Sequence, residues 1–221
     1  MTVDVVVLVP MLGRAHRVRP LLASLHASTD QARALFVCHH NDVDVLAEVR
    51  AVGADMMLVG RVPIGDYARK INAGYRATTE PLIFLGASDL HFHPGWLDAC
   101  RRALTVAGAG VIGTNDLGNP RVTAGQHSTH SLVTRDYVDR YGTIDGPGQV
   151  LAECYPHEFV DDELVGTAKH RQAFVMALDA RVEHLHPNWH PEVPLDATYR
   201  DQQRRMAAGR RLFNRRRYRW R

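Results

Sequence analysis

The sequence predicts an α/β protein whose mostly parallel sheet is flanked by helices. Three observations carry that prediction. Strands alternate with helices across the first 110 residues. The strands read as continuous apolar runs, as strands covered on both faces do. Three of them end in polar clusters: Leu12 to Arg14, Asn41 with Asp42, and Ser88 with Asp89. In such sheets ligands bind beyond the carboxyl ends of the strands.

The elements follow in order. Residues 3–9 (VDVVVLV) form a β-branched run that Pro10 closes. A loop with Gly13 follows, and Pro20 starts a helix with Leu21, Leu22 and Leu25 on one face. Residues 35–38 are a second strand, running into His39, His40, Asn41 and Asp42. A helix over 43–52 stops at Gly53, and 56–59 is a third strand. Residues 65–77 read as helix. Pro81 precedes a strand over 82–85, and Pro94 starts a helix over 95–106. Residues 111–112 are a short strand. Residues 114–130 are polar, hold Gly118, Pro120 and Gly125, and read as one long loop of the kind that carries function. A strand over 131–134, a loop over 142–148, a helix over 161–171, a strand over 181–185 and a basic helix over 196–212 complete the chain.

Composition narrows the class. Of 221 residues, 45% are hydrophobic and 23% charged, which excludes a disordered chain, a collagen-like rod and a coiled coil. No run approaches the ~18 apolar residues of a membrane span, and no basic cluster leads the first apolar run as in a signal peptide. The expected location is the cytoplasm. Cys38, Cys100 and Cys154 are odd in number and far apart, which fits reduced thiols rather than a disulfide framework or a zinc motif. The net charge is +3, but residues 201–221 hold nine arginines and one acid, a net +8, so the first 200 residues carry −5. The basic side chains are 25 Arg and only two Lys, Lys70 and Lys169.

Several clusters carry possible chemistry. The first turn, Pro10-Met11-Leu12-Gly13-Arg14, is neither GxGxxG nor a P-loop, so any nucleotide meets a different turn. Asp89 follows an apolar strand, where a carboxylate can hold Mg²⁺ or Mn²⁺ on a diphosphate; the plainer reading is a helix cap. His184 and His186 are two apart on an expected strand and so share a side. That suits a transition metal, or two partly buried, hydrogen-bonded histidines. Asp161, Asp162 and Glu163 open a helix. There they complement its dipole or, crowded, supply a general base. Arg69 or Lys70 could meet phosphate oxygens, and Asn72 a carboxylate or base; the plainer reading is a solvated helix face.

Taken in order and spacing, these pieces resemble the family-2-like glycosyltransferases of the GT-A (nucleotide-diphospho-sugar transferase) fold. The resemblance spans roughly residues 3–187 and is most specific over 65–97. It rests on the strand ending at Pro10 with Arg14 after it, the second strand followed by Asp42, and Ala68-Arg69-Lys70-Ile71-Asn72-Ala73-Gly74. It rests also on Leu82 to Asp89 followed by Pro94-Gly95-Trp96-Leu97, on Phe159-Val160-Asp161-Asp162-Glu163-Leu164, and on residues 181–187. It implies a nucleotide-sugar donor, a UDP-sugar in first place. Pro10, Leu12, Arg14, Asp42, Lys70, Asn72, Ser88 and Asp89 would bind it, with Asp42 on the base. Asp89 with His186 or His184 would hold Mn²⁺ or Mg²⁺, and Asp161, with Asp162 its rival, would deprotonate the acceptor in an inverting transfer. One departure stands out: the family's Asp-x-Asp-type cluster is here a single Asp89 with Gly86 and Ser88 around it. The implied organisation is a transferase domain over 1–195, with a donor half (1–113) and an acceptor half (114–195), then an Arg-rich helix and tail over 196–221.

The acceptor is unnamed by these residues, although Asn115, Asp116, His127, His130, Tyr155 and His157 offer hydrogen-bonding groups near it. The tail, with Tyr218 and Trp220 among its arginines, suits phosphates and stacked bases, an anionic membrane surface, or pairing with the acidic body. Its first reading points to a transferase acting on modified DNA. The rivals are a nucleotidyltransferase and a nucleic-acid-binding protein with a degenerate transferase core.

Overall fold

The computed structural model describes residues 3–220; Arg221, counted in the basic tail, lies outside them. The strands are β1 (Val5–Pro10), β2 (Ala32–His39), β3 (Asp55–Val59), β4 (Leu82–Leu85), β5 (Leu90–Phe92), β6 (Val111–Asn115), β7 (Ser131–Thr134) and β8 (Phe174–His184). The helices are α1 (Val18–Ser28), α2 (Val43–Ala51), α3 (Asp66–Ala77), α4 (Trp96–Ala107), α5 (Pro120–Thr123), α6 (Arg135–Arg140), α7 (Val160–His170) and α8 (Ala197–Arg216). The eight strands form one sheet in the order β3-β2-β1-β4-β7-β6-β8-β5. β3, β2, β1 and β4 run parallel, as do β6 and β8. β7 enters antiparallel between β4 and β6, and β5 lies antiparallel at the edge of β8.

Both faces of the sheet are covered, and the two-residue period of a strand divides the core between them. Val5, Val7 and Val9 of β1 pack into one cluster with Leu21, Leu25, Val45, Val49 and Trp96 from α1, α2 and α4. Val6 and Leu8 face the other cluster, with Ile71, Tyr75, Tyr137 and Leu164 from α3, α6 and α7. This is why β1 shows no polar alternation. β1, β2 and β4 therefore end together at one edge, where the polar clusters collect.

Several boundaries differ from the sequence reading. α1 starts at Val18, ahead of Pro20, after a short 3-10 turn over Ala15–Arg17. β5 and α6 were not expected, being three and six residues long. The stretch 114–130 is not one loop: β6 runs to Asn115, and Asn119 caps α5 by accepting from the Arg121 N–H. β8 begins at Phe174 and ends at His184 rather than spanning 181–185. The basic helix extends to Arg216.

Candidate functional site

The donor end is built from the carboxyl ends of β1 and β4. Past β4 the backbone presses on β1: the Gly86 N–H donates to the Leu8 carbonyl at 2.9 Å, and a Cβ on Gly86 would stand 2.7 Å from that oxygen. No side chain fits at position 86 without moving β1, so the residue three before Asp89 is held to glycine. Asp89 is 3% exposed. Its Oδ2 accepts from Arg14 at 3.1 Å and from the Tyr199 hydroxyl at 2.6 Å. Its Oδ1 lies 3.6 Å from His184 Nε2. Burial opposes the charge on Asp89, but His184, Arg14 and Tyr199 outweigh it and hold the carboxyl far below the ordinary range.

Arg14 is itself anchored. Its backbone adopts φ 61°, its guanidinium pairs with Asp196 at 2.6 Å, and it lies 4.0 Å over the Tyr199 ring. A left-handed non-glycine residue stores strain of about 1–3 kcal/mol that its surroundings must hold. Asp196, Tyr199 and α8 thus close one side of this end. Pro10 is the last residue of β1, and Leu12 is partly exposed on the loop beyond it. Asp42 braces that loop, accepting from the Gly13 N–H at 2.6 Å. Ser88 is buried beside Asp89.

Two expected donor-binding residues are structural. Lys70 is 1% exposed; its ammonium donates to the Met11 carbonyl and pairs with Asp66 at 2.8 Å. Asn72 is fully buried. Its amide donates to the Leu151 carbonyl and Glu153 Oε1, and its oxygen accepts from the Val150 and Leu151 N–H groups. Every hydrogen-bonding position of an asparagine is then used, so Asn72 has no group left for phosphate or base, and burial with Met11 and Asp66 holds the Lys70 ammonium inside the protein.

The two histidines meet for a different reason than the expected one. β8 ends at His184, so strand alternation does not align His186. Instead the His186 N–H donates back to the His184 carbonyl at 2.7 Å, and the rings come within 5.2 Å. Burial, then the His184 charge, pushes His186 down to about 4, so it is neutral, and its Nδ1 accepts from the Asn188 N–H at 3.1 Å. Burial opposes the proton on His184, but Asp89 outweighs it and raises that pKa. His130 packs edge-on to His184 at 4.8 Å. Its Nδ1 meets the Leu85 carbonyl at 2.9 Å, and its buried Nε2 makes no hydrogen bond.

The acidic end lies at the start of α7, preceded by Phe159 at φ 71°. Asp161 Oδ2 accepts from His127 Nε2 at 3.1 Å, and Asp162 pairs with Arg121 at 2.8 Å. Among the described residues, His127, Asp161 and Asp162 bring their ligating atoms within 4.8 Å of one another. Burial opposes ionisation of Asp161, but the His127 hydrogen bond wins and lowers its pKa. Burial and then Asp161 raise that of Asp162. Glu163 turns away from the pair: buried, it accepts from Tyr155 and from Arg216 at 2.7 Å. Tyr67 bridges the two ends, its hydroxyl donating to the Gly86 carbonyl at 3.2 Å and its ring 5.5 Å from that of His157. The charges of Asp161 and Asp89 both reach Tyr67 and His157.

Most of the groups expected near an acceptor are committed elsewhere. Asp116 caps the turn at Gly118 and Asn119 and accepts from Thr129; Asn115 holds Leu117 and Leu178. Tyr155 serves Glu163, and His157 accepts from Gln202 at 2.7 Å. Trp220 packs between Phe213 and Gly166, so it cannot stack on a base, whereas Tyr218 is exposed. The sequence reading missed Glu158, Asp196 and Tyr199. Asp196 carried a signal as a helix cap, which it is, accepting from the Tyr199 N–H at 3.1 Å. Tyr199 carried none.

The donor set, one carboxylate among imidazoles, suits a divalent transition-metal ion such as Mn²⁺. An ionised, buried carboxylate faces an imidazole across a gap too long for a hydrogen bond, beside a neutral His186 and an unpartnered His130 nitrogen. The partner cation it would exchange for is Arg14.

This fold and edge define a class. The chain has the GT-A fold. It superposes on a mannosyltransferase from Pyrobaculum calidifontis, solved in complex with GDP-mannose and Mn²⁺, with TM-score 0.66 and 16% identity over 95% of this chain. It spans 62% of that protein's length. It also superposes on glucosyl-3-phosphoglycerate synthase from Mycobacterium tuberculosis, with TM-score 0.61 and 15% identity over 88% of this chain and 74% of that one. The same synthase, solved with Mn²⁺, UDP-glucose and phosphoglyceric acid, aligns with TM-score 0.59. No family model and no curated protein matches the sequence. Among the described residues, no helix is long and apolar enough to cross a membrane.

Proposed function

We propose that this chain transfers a sugar from a UDP- or GDP-sugar, UDP in first place, to an acceptor hydroxyl. The observation that carries the reading is the opposed pair of charged groups at one sheet edge. Buried, ionised Asp89 stands beside His184 and His186, and the Asp161–Asp162 pair stands across Tyr67 and His157. Its likeness in fold to proteins solved with nucleotide sugars and Mn²⁺ supports it.

In this reading residues 1–113 hold the donor and 114–195 the acceptor. The first loop and Asp42 receive the nucleoside. Asp89, with His184 or His186, would hold Mn²⁺ or Mg²⁺, which stabilises charge developing on the departing nucleoside diphosphate. Asp161 accepts the proton of the attacking hydroxyl. His127 fixes its Oδ2, and direct attack inverts the anomeric centre. For the acceptor, one observation favours a polyanion such as modified DNA: Arg200, Arg204, Arg211 and Arg215 are exposed on α8. At 3.6 residues per turn they fall within ~60° of arc, one continuous stripe.

The test is a thermal-shift panel of UDP-, GDP-, dTDP- and CMP-sugars with and without Mn²⁺. A ligand at ~100 times its Kd adds about 2.7 kcal/mol, roughly 5–10 °C for a chain of this size. The expected result is a Mn²⁺-dependent shift with one nucleotide class that Asp89→Asn removes. No shift with any of them, or pyrophosphate release from a nucleoside triphosphate, would overturn the reading.

A further inference from the structure

His157 stands between the two ends of the site, and the transfer chemistry above gives it no task. It lies four residues before Asp161, half-buried, where the left-handed Phe159 turns the chain into α7. Two other elements frame its ring. Tyr67, at the start of α3, meets it edge-on with ring centroids 5.5 Å apart. Tyr67 is itself fixed, since its hydroxyl donates to the Gly86 carbonyl just past β4. Gln202 of α8 donates its amide to His157 Nε2 at 2.7 Å. The charges of Asp161 and Asp89 both reach the ring, so it stands within range of the acidic end and of the donor end.

The two ring nitrogens differ. Nε2 accepts from Gln202, so a neutral ring carries its proton on Nδ1. Burial outweighs the two carboxylates and lowers the pKa, which keeps the ring neutral. Nδ1 has no partner among the described residues and, unlike His130 Nε2, is not a buried atom. The chain therefore fixes the ring at one nitrogen and leaves an N–H open to solvent at the other.

We propose that His157 binds the transferred sugar, its Nδ1–H donating to a hydroxyl oxygen of that sugar. This rests on the glycosyl-transfer reading, in which the diphosphate sits at Asp89 and the attacking hydroxyl at Asp161. The sugar then fills the space between them, where His157 stands. A neutral N–H suits a sugar hydroxyl, which has no charge for a cation to meet. Gln202 is the positioning residue, because its amide decides which nitrogen of the ring holds the proton. It lies one turn along α8 from Tyr199, so the same helix that completes the surroundings of Asp89 also sets the donor at the centre of the cleft.

Two measurements on the intact chain test it. Nitrogen NMR of the isotope-labelled protein near neutral pH reads the tautomer. The expected result is an Nδ1–H form at His157 that Gln202→Leu shifts toward Nε2–H. A proton on Nε2 in the parent would overturn the proposal, and this arm needs no variant to fold. Calorimetry with UDP-glucose and UDP, or with GDP-mannose and GDP where the guanine nucleotide is the one that binds, reads the contact. His157→Phe keeps a ring against Tyr67 but no donor. It should weaken the nucleotide-sugar roughly 3- to 10-fold, the net worth of one hydrogen bond, and leave the nucleoside diphosphate unchanged. His157→Asn puts an amide N–H where Nδ1 was and should restore the affinity, whereas His157→Gln, which puts it at the Nε2 position, should not. Melting without ligand checks that each variant folds. Equal weakening of nucleotide-sugar and diphosphate, no weakening, or rescue by Gln rather than Asn would each refute the role of His157 alone. A parent that binds no nucleotide-sugar would instead remove the transfer reading, and the sugar contact with it.

Discussion

Glu158 carries a carboxyl that burial, and then the charges of Asp161 and Asp162, push up to about 7. Among the described residues no hydrogen bond or ion pair of its side chain compensates, and only the His184 charge opposes the shift. An unfolded glutamate ionises near ~4.3. Between those two values the folded chain holds a proton that the unfolded chain has released, so stability falls as pH rises through that window. Glu158→Gln removes the loss. The variant should be more stable than the parent by about 1–3 kcal/mol at pH 8, with little difference at pH 4. Denaturant titrations at the two pH values check this, and an equal difference at both would refute it. Asp89 and Asp161 were legible in the sequence because each follows a recognisable run at a strand end or helix start. Glu158 was not. What distinguishes it is the approach of acids one helical turn away and the left-handed Phe159 that aims the chain, and neither is written locally. Lys70 and Asn72 misled for a related reason: they are polar residues whose partners, Met11, Leu151 and Glu153, are distant in sequence.

Among the elements, α3 does two jobs. Its apolar side packs Ile71 and Tyr75 under β1, and Asn72 on the same helix brackets residues 150–153. Asn72→Ala would leave the buried Val150 and Leu151 N–H groups without an acceptor, at roughly 1–3 kcal/mol each. A total loss of about 2–4 kcal/mol is expected by urea denaturation, and a loss under ~1 kcal/mol would show that the segment holds itself. Helices of this kind were legible because one face is apolar at helical spacing. β8 was only half legible. Residues 174–177 pair with β6 and 182–184 with β5, so the two ends of one strand answer to different neighbours. β5, three residues long, has too few positions to show any period.

At the scale of the whole molecule, the charge asymmetry was plain from composition, but not the division of labour among the arginines. Arg216 is buried and clamps α8 to α7 through Glu163 and to the 142–148 loop through Asp145. Arg14, at the other end of the chain, holds the start of α8 through Asp196. Arg200, Arg204, Arg211 and Arg215 face outward instead. If they meet a polyanion, replacing all four with Gln should flatten the dependence of log affinity on log salt by about 3 for DNA, near 0.7–0.9 per phosphate contact. The fold should be unaffected. Fluorescence anisotropy with a short duplex between 50 and 200 mM salt reads the slope, and an unchanged slope would assign these arginines to solvation alone.

The pairing of Arg14 with Asp196 spans 182 positions of chain, and that of Tyr199 with Asp89 spans 110. A ribosome makes the sheet's first strands long before it reaches either partner. During synthesis Arg14 and Asp89 therefore lack these partners, and the left-handed backbone of Arg14 is not yet held. The edge where β1 and β4 end therefore takes its final form only once residues 196–199 have emerged, and its assembly is a late, long-range event in folding.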